Sequence, residues 1–215
     1  MDERLLLEKI RREGLDAELS ALDQAILPAR RAYDEAIARH AASHPWKPFM
    51  KALLEHAAAE PRAQIDRVVD ALWLDQPHQN LWRRLLPGIA ELARELRAEG
   101  VPIGILTNSE GRAATLVREL GLDDVFGVVI DSGVVGVAKP EPAIFHAFAA
   151  ALALPPSEIV HVGDSLRADV QGALAVGMHA IWFAGNRDSA PRGVAVCENA
   201  GELRSELVRL GLLPS

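Results

Sequence analysis

The stretch "IVHVGDSLRADVQGALAVGMHAIWF", residues 159–183, runs from one apolar pentad to another through a segment of helical length. Residues 159–163 and 179–183 are short and almost continuously apolar, as strands buried on both faces are. The segment between them closes at Gly177, a residue suited to end a helix in the left-handed conformation. Strand, helix and strand in this order predict two parallel strands with the helix packed on the sheet.

The alternation extends in both directions. Ile89, Leu92, Ala93 and Leu96 predict a helix ended by Gly100, followed by a buried strand "PIGILT" at 102–107. Leu116, Val117 and Leu120 predict a helix ended by Gly121, and "VVI" at 128–130 a strand. A helix opens at Pro142 with Ile144, Phe145 and Phe148 facing inward. "GVAV" at 193–196 and a helix through Leu203, Leu207 and Leu210 complete the series. The class is α/β, a parallel sheet covered on both faces.

Before "LLPGIAEL" the character differs. From Arg4 to about Leu81 the pattern is helical, with Leu19, Leu22, Ile26, Ala29, Tyr33 and Ile37 at steps of three and four. "SHPWKP" at 43–48 should break this helix, and "AEPRAQ" at 59–64 should start another with Pro61 near its first turn. Residues 1–84 are therefore expected to form a small all-helical domain and residues 85–215 the α/β core domain.

Composition limits the function classes. The chain has 215 residues, 49% of them hydrophobic, and a formal net charge of -7. Its basic residues are scattered among acids along helical faces, which argues against a nucleic-acid partner. No stretch has the length of a membrane span, and the N-terminus lacks the apolar core of a signal peptide. The single cysteine, Cys197, reads as a small buried residue, and one cysteine fits a reducing compartment; the expected location is cytoplasmic. Oligomeric state is not legible.

In a parallel sheet of this kind ligands bind beyond the carboxyl ends of the strands. The residues at those positions are Thr107 and Asn108, then Lys139, then Asp164, with Asp169 five positions further on. A hydroxyl, an amide, a cation and carboxylates together suit a phosphoryl group and a hard cation such as Mg²⁺. Each also has a plainer reading. Thr107 and Ser109 could cap a helix, Lys139 could be a solvated turn lysine, Asp164 and Ser165 could cap the next helix, and Asp169 could be an exposed helical acid.

Order and flanking residues favour the chemical reading. The sequence strongly resembles the haloacid dehalogenase-like (HAD) hydrolase superfamily, in its phosphatase-like branch with a helical cap. "IGILTN" with Thr107 is similar to the family's second motif, "GVVGVAKPEPAIF" with Lys139 to its third, and "HVGDSLRADVQGALAVGM" with Asp164 and Asp169 to its fourth. The resemblance implies a Rossmann-like, doubly wound parallel sheet and phosphoryl transfer through an aspartyl-phosphate. Thr107 would bind the transferring phosphoryl of a small phosphorylated substrate, with Asn108 beside it. Lys139 would steady the phosphoryl and the nucleophile. Asp164 would ligate Mg²⁺ and Asp169 support the metal site. "GDS" at 163–165 resembles phosphatases more than dehalogenases. The cap's inner surface would set substrate choice, with Trp46, Phe49, Trp73 and Trp82 as candidates, although such aromatics are more often core. A phosphonatase would want a cap lysine, but Lys9, Lys47 and Lys51 read as solvated.

One motif has no counterpart. The family's first motif, an apolar strand ending in Asp-x-Asp, supplies the nucleophile and the general acid/base. Asp131 ends a strand but lacks the second acid, and Asp2 has no strand before it. In the family's sheet that strand is central, between the strand ending in Thr107 and the one leading to Asp164. Losing about five buried residues at roughly 1.5–3 kcal/mol each forfeits on the order of 10 kcal/mol, comparable to the stability of a domain. The expectations are a shortened form of a longer protein, direct pairing of the two flanking strands in a non-catalytic relative, or a strand supplied by another chain. The function expected is a Mg²⁺-dependent phosphatase, inactive as given; the alternatives are a non-catalytic phosphate- or metal-binding relative and a dehalogenase.

Overall fold

The computed structural model describes residues 1–39 and 45–214, and the chain divides into two units, Met1–Arg84 and Leu85–Ser215. In the first unit α1 spans Glu3–Arg12, α2 Leu19–Ala38, α3 Trp46–Ala57 and α4 Arg62–Asp75. The Asp2 side chain caps α1 by accepting from Leu5 N at 3.1 Å, and lysine and arginines in its last turn complement the helix dipole. The apolar stripe of α2 buries Leu22, Ala25 and Ala29, whereas Leu19 at its first turn is exposed. Pro28 lies inside α2 without ending it. Ser43 and His44 of the expected break lie outside the described residues; beyond them α3 begins directly after Pro45, and α4 begins directly after Pro61.

Leu6, Ile10, Leu22, Met50, Leu53, Leu54 and Val68 form a fully buried centre for these helices. Lys9 joins it. Far from being solvated, its ammonium is ion-paired with Asp75 and donates to Gln79 O at 2.9 Å, which fastens α1 to the end of α4. Lys47 and Lys51 are partly exposed and paired across the α3–α4 surface with Asp70 and Asp66.

The second unit follows the alternation. Its elements are α5 (Ile89–Ala98), β1 (Gly104–Thr107), α6 (Ala113–Glu119), β2 (Val128–Asp131), α7 (Ser132–Val135) and α8 (Pro142–Leu152). After these come β3 (Val160–Gly163), a π-helical turn (Leu166–Gln171), α9 (Gly172–Ala175), β4 (His179–Phe183), β5 (Ala195–Cys197) and α10 (Ala200–Arg209). All strand pairs are parallel, and helices cover both faces. Ile144, Phe145 and Phe148 of α8 pack with Leu106, Val170, Ala180 and Trp182. Leu92 of α5 and Leu203 and Leu207 of α10 pack with Ile181 and Cys197. Cys197 is buried, and burial pushes its thiol pKa up.

The sheet is in two pieces. β1 pairs with β2 in the register Gly104↔Val128 to Thr107↔Asp131, and β3, β4 and β5 form a separate three-stranded piece. The flanking strands β1 and β3 therefore do not pair directly, contrary to one of the three expectations. Gly104 has a local reason: a Cβ there would stand 2.8 Å from Val128 O and 2.9 Å from Phe148 Cε2, so α8 packs onto bare backbone.

Candidate active site

The carboxyl ends of β1 and β3 are joined by one buried lysine. Lys139 follows α7, and its peptide bond with Pro140 is cis. Its Nζ donates to Leu106 O of β1 at 2.8 Å and to Asp169 Oδ1 at 2.5 Å. With side chains only 9% and 7% exposed, this pair is shielded from solvent, which excludes the solvated-turn reading of Lys139 and the exposed-acid reading of Asp169. Asn108 fixes the lysine's backbone from the other side. Its Nδ2 donates to Lys139 O at 2.9 Å, and Lys139 N donates to its Oδ1 at 2.7 Å. The Asn108 amide thus holds the backbone of Lys139 at the end of β1.

Asp169 reaches this place because the segment after β3 widens into a π-helical turn, a local departure often found at functional sites. Ser165 Oγ caps that turn by accepting from Ala168 N at 2.9 Å, as its helix-cap reading anticipated. Asp169 Oδ2 accepts from Ser165 N at 2.9 Å, and Oδ1 also lies 3.1 Å from His161 Nε2 on β3. Gly163 makes room: a Cβ on it would stand 2.3 Å from Asp169 Cγ. Burial alone would raise the Asp169 pKa. The charge of Lys139 and the bonds from His161 and Lys139 outweigh burial and hold the carboxyl well below the usual carboxylate range. Burial, reinforced by Lys139, lowers the His161 pKa against the opposing pull of Asp169, so its imidazole is neutral and donates from Nε2.

A second buried acid organises the loop after β1. Asp131, at the end of β2, accepts from Gly111 N at 3.1 Å and Gly133 N at 2.9 Å through Oδ1, and from Ala113 N at 2.9 Å through Oδ2. It supplies the bond that a capping side chain would give α6, whose own N-cap residue Arg112 makes none. Thr107 and Ser109 are therefore not the caps of this helix. Ser132 Oγ accepts from Ser109 N at 3.0 Å and donates to Ser109 O at 3.1 Å. These bonds hold the backbone beyond Thr107, itself half-buried at the end of β1 opposite Asp131. Sequence reasoning missed Asp131, Ser132 and His161 as working residues. The signal for Asp131 was its place at a strand end, discounted because no second acid followed.

Asp164 stands exposed just past β3, and its backbone carbonyl accepts from the Trp182 indole N–H at 3.0 Å. Among the described residues no group of three or more His, Cys, Asp or Glu is gathered as for a metal ion. A Mg²⁺ ion needs fewer, because it keeps several waters and binds through one or two carboxylates plus substrate phosphate. Asp164 has the hard oxygen chemistry and exposure for that. Asp169, with both oxygens engaged by protein donors, fits a supporting place.

In the first unit Trp46 packs against Trp73 and Trp82 with centroids 5.4 and 6.2 Å apart, and Phe49 lies 5.8 Å from Trp82. Trp46 is buried and Trp82 41% exposed, so the cluster is core at one end only.

Comparison with known proteins gives a consistent result. The family model of haloacid dehalogenase-like hydrolases matches residues 4–177. The human haloacid dehalogenase-like hydrolase domain-containing protein 3 is 29% identical, over 86% of this chain and 78% of its own length. A ribulose-1,5-bisphosphate 5-phosphatase of Halopiger xanaduensis is 32% identical, over 85% of this chain and 76% of its own. Among solved structures, a HAD phosphatase from Thermococcus onnurineus superposes with a TM-score of 0.54 at 28% identity, covering 86% of this chain and 87% of that one.

Proposed function

The chain belongs to the haloacid dehalogenase-like hydrolase family, and on that premise we propose that it is a phosphatase-type member whose site takes the phosphoryl group of a small phosphorylated metabolite. The observation that carries this reading is the buried Lys139, fixed between Leu106 O and Asp169 at the ends of two strands. A cation desolvated and held in one place stabilises charge on a phosphoryl group far better than a mobile surface lysine does. The phosphatase names of the Halopiger and Thermococcus relatives support it.

In this reading Thr107 Oγ and the backbone N–H groups beyond β1 donate to the phosphoryl oxygens. Lys139 neutralises their charge, with Asn108 holding its backbone and Asp169 its ammonium. His161, neutral, keeps Asp169 in place without adding charge. Asp164 would hold Mg²⁺, which when bound supplies a further positive charge to phosphate oxygens. The helical unit acts as the family's cap, and a small metabolite in a cytoplasmic setting is the expected substrate, with neither nucleic acid nor membrane as partner. Hydrolysis through an aspartyl-phosphate needs a carboxylate nucleophile and a second acid two residues on. No Asp-x-Asp occurs in these 215 residues, so these residues by themselves should bind phosphate without turnover.

Calorimetric titration of the 215-residue protein with inorganic phosphate, with and without MgCl₂, tests this. Saturable binding abolished in both Lys139→Ala and Thr107→Val is expected, with no release of phosphate from p-nitrophenyl phosphate. Absence of binding, binding indifferent to both substitutions, or sustained turnover would overturn the proposal. Thr107→Val keeps side-chain volume and serves if Lys139→Ala unfolds.

A further inference from the structure

Asp164 leaves β3 through a peptide group that is held from both sides. A peptide unit is planar, with its C=O and N–H pointing oppositely and the Cα atoms of both residues in the plane. In the Asp164–Ser165 unit the carbonyl accepts from Trp182 Nε1 at 3.0 Å, and the N–H donates to Asp169 Oδ2 at 2.9 Å. The plane cannot turn without breaking one of these bonds. On the amino side Gly163, the last residue of β3, pairs in register with Trp182 itself. The Asp164 Cα is thus fixed before and after, and the direction in which its side chain leaves the chain is fixed with it.

We propose that Trp182 is a positioning residue for Mg²⁺: its indole N–H holds the Asp164 peptide so that the carboxylate is aimed before the ion arrives. The inference rests on the reading of Asp164 as the Mg²⁺ ligand and deepens it. Trp182 acts through Asp164 and supplies no ligand of its own, because an indole N–H only donates. An aspartate on a free backbone gives up its freedom when it binds an ion, whereas one already held has lost it on folding, and affinity gains by the difference.

The seating of the ring supports this role. The indole, 8% exposed, belongs to the same core as Phe145, Phe148 and Ala180. It also meets bare backbone: a Cβ on Gly185 would stand 2.1 Å from Trp182 Cδ2 and 2.4 Å from Cγ, so only glycine lets the chain lie so close to the ring. That chain is itself tied down. Ala184 has a φ of 52°, and its N–H donates to Cys197 O of β5 at 2.7 Å. A residue other than glycine keeps this left-handed conformation where its surroundings enforce it. The loop after β4 is therefore fitted to the ring, and the ring to Asp164.

Trp182→Phe removes the indole N–H and keeps most of the packing. The 215-residue protein is titrated calorimetrically with MgCl₂, alone and at saturating inorganic phosphate. The variant should bind Mg²⁺ about tenfold more weakly than the parent or worse, as when other groups that orient metal ligands are lost. Gly185→Ala keeps the N–H but displaces the ring and should weaken Mg²⁺ binding in the same direction. Phe148→Leu, in the same core, isolates packing: it should lower the melting temperature and leave Mg²⁺ affinity unchanged. In the heteronuclear NMR spectrum the assigned Trp182 indole N–H signal should move with MgCl₂ along the calorimetric isotherm. It should stay still in Asp164→Asn, which keeps the carbonyl and loses the charge. Circular dichroism checks each fold, and Gly185→Ala with the indole signal carries the test if Trp182→Phe unfolds. Parent-like Mg²⁺ binding by both Trp182→Phe and Gly185→Ala, an equal loss in Phe148→Leu, or an indole signal indifferent to Mg²⁺ would overturn the inference and leave Asp164 as ligand. Absence of Mg²⁺ binding by the parent would overturn both, with phosphate binding read separately.

Discussion

Replacing Asp169 by asparagine removes one charge and leaves the shape nearly unchanged, and its cost follows from the contacts of the carboxylate. One oxygen accepts from Lys139 Nζ at 2.5 Å and lies 3.1 Å from His161 Nε2, and the other accepts from Ser165 N at 2.9 Å. In Asp169→Asn the amide oxygen can keep the first oxygen's place, but the NH₂ then faces the Ser165 N–H, so two donors abut. Lys139, 9% exposed, loses its countercharge where water cannot replace it. Breaking one half of a buried pair costs about 3–5 kcal/mol, a large part of the roughly 5–15 kcal/mol that stabilises a domain. At about 2–4 °C per kcal/mol for a chain of this size, the melting temperature should fall by roughly 6–20 °C. Urea unfolding followed by far-ultraviolet circular dichroism measures the loss, and Lys139→Met combined with Asp169→Leu completes the comparison. Removing both charges should restore much of the stability, because the desolvation of the pair is then no longer required. A loss below about 1 kcal/mol for Asp169→Asn, the value of a screened surface pair, would refute the description of this pair as buried and mutually dependent.

Three other outcomes follow from the same contacts. Gly163→Ala would place a Cβ 2.3 Å from Asp169 Cγ; the protein should lose stability and phosphate affinity together, and retention of both would show that Asp169 can move without consequence. Asp131→Ala strands the backbone N–H groups of Gly111, Ala113 and Gly133 and should cost about 2–3 kcal/mol in urea unfolding, with amide exchange speeding up in the loop after β1. Acid should act in two windows. The folded-state pKa of His161 lies below its ordinary 6.5, so the unfolded chain takes up that proton first and stability declines as pH falls below 6.5. The folded-state pKa of Asp169 lies below 3.8, so its contribution is intact above 3.8 and is lost as pH falls further towards the folded value. Urea midpoints across this range in the parent and in His161→Gln, which should lack the upper window alone, check the assignment.

The alternation of apolar pentads and glycine-terminated helices was legible because each is a local consequence of residue type. Continuous apolar strands must be buried on both faces, and Gly100, Gly121 and Gly177 all adopt the left-handed conformation that ends a helix. The carboxyl ends of those strands then pointed to Thr107, Asn108, Lys139 and Asp164 as neighbours. How those residues divide the work was not legible. Asn108 holds the Lys139 backbone, Asp169 turns inward through a π-helical turn, and Lys9, a helix-surface lysine by sequence, is buried against Asp75. Each of these depends on which side chain faces which across tens of residues, and no local periodicity encodes that.

The sequence by itself determined the α/β class, the order of the elements and the end of the sheet where charged groups gather, since these follow from burial pattern and backbone preference along the chain. Tertiary structure alone decided that β1 and β3 stand apart in two pieces of sheet, and that the buried Lys139 bonds both Leu106 O and Asp169. The physical reason is that backbone hydrogen bonds between strands and the desolvation of an ion pair are both set by neighbours distant in the chain.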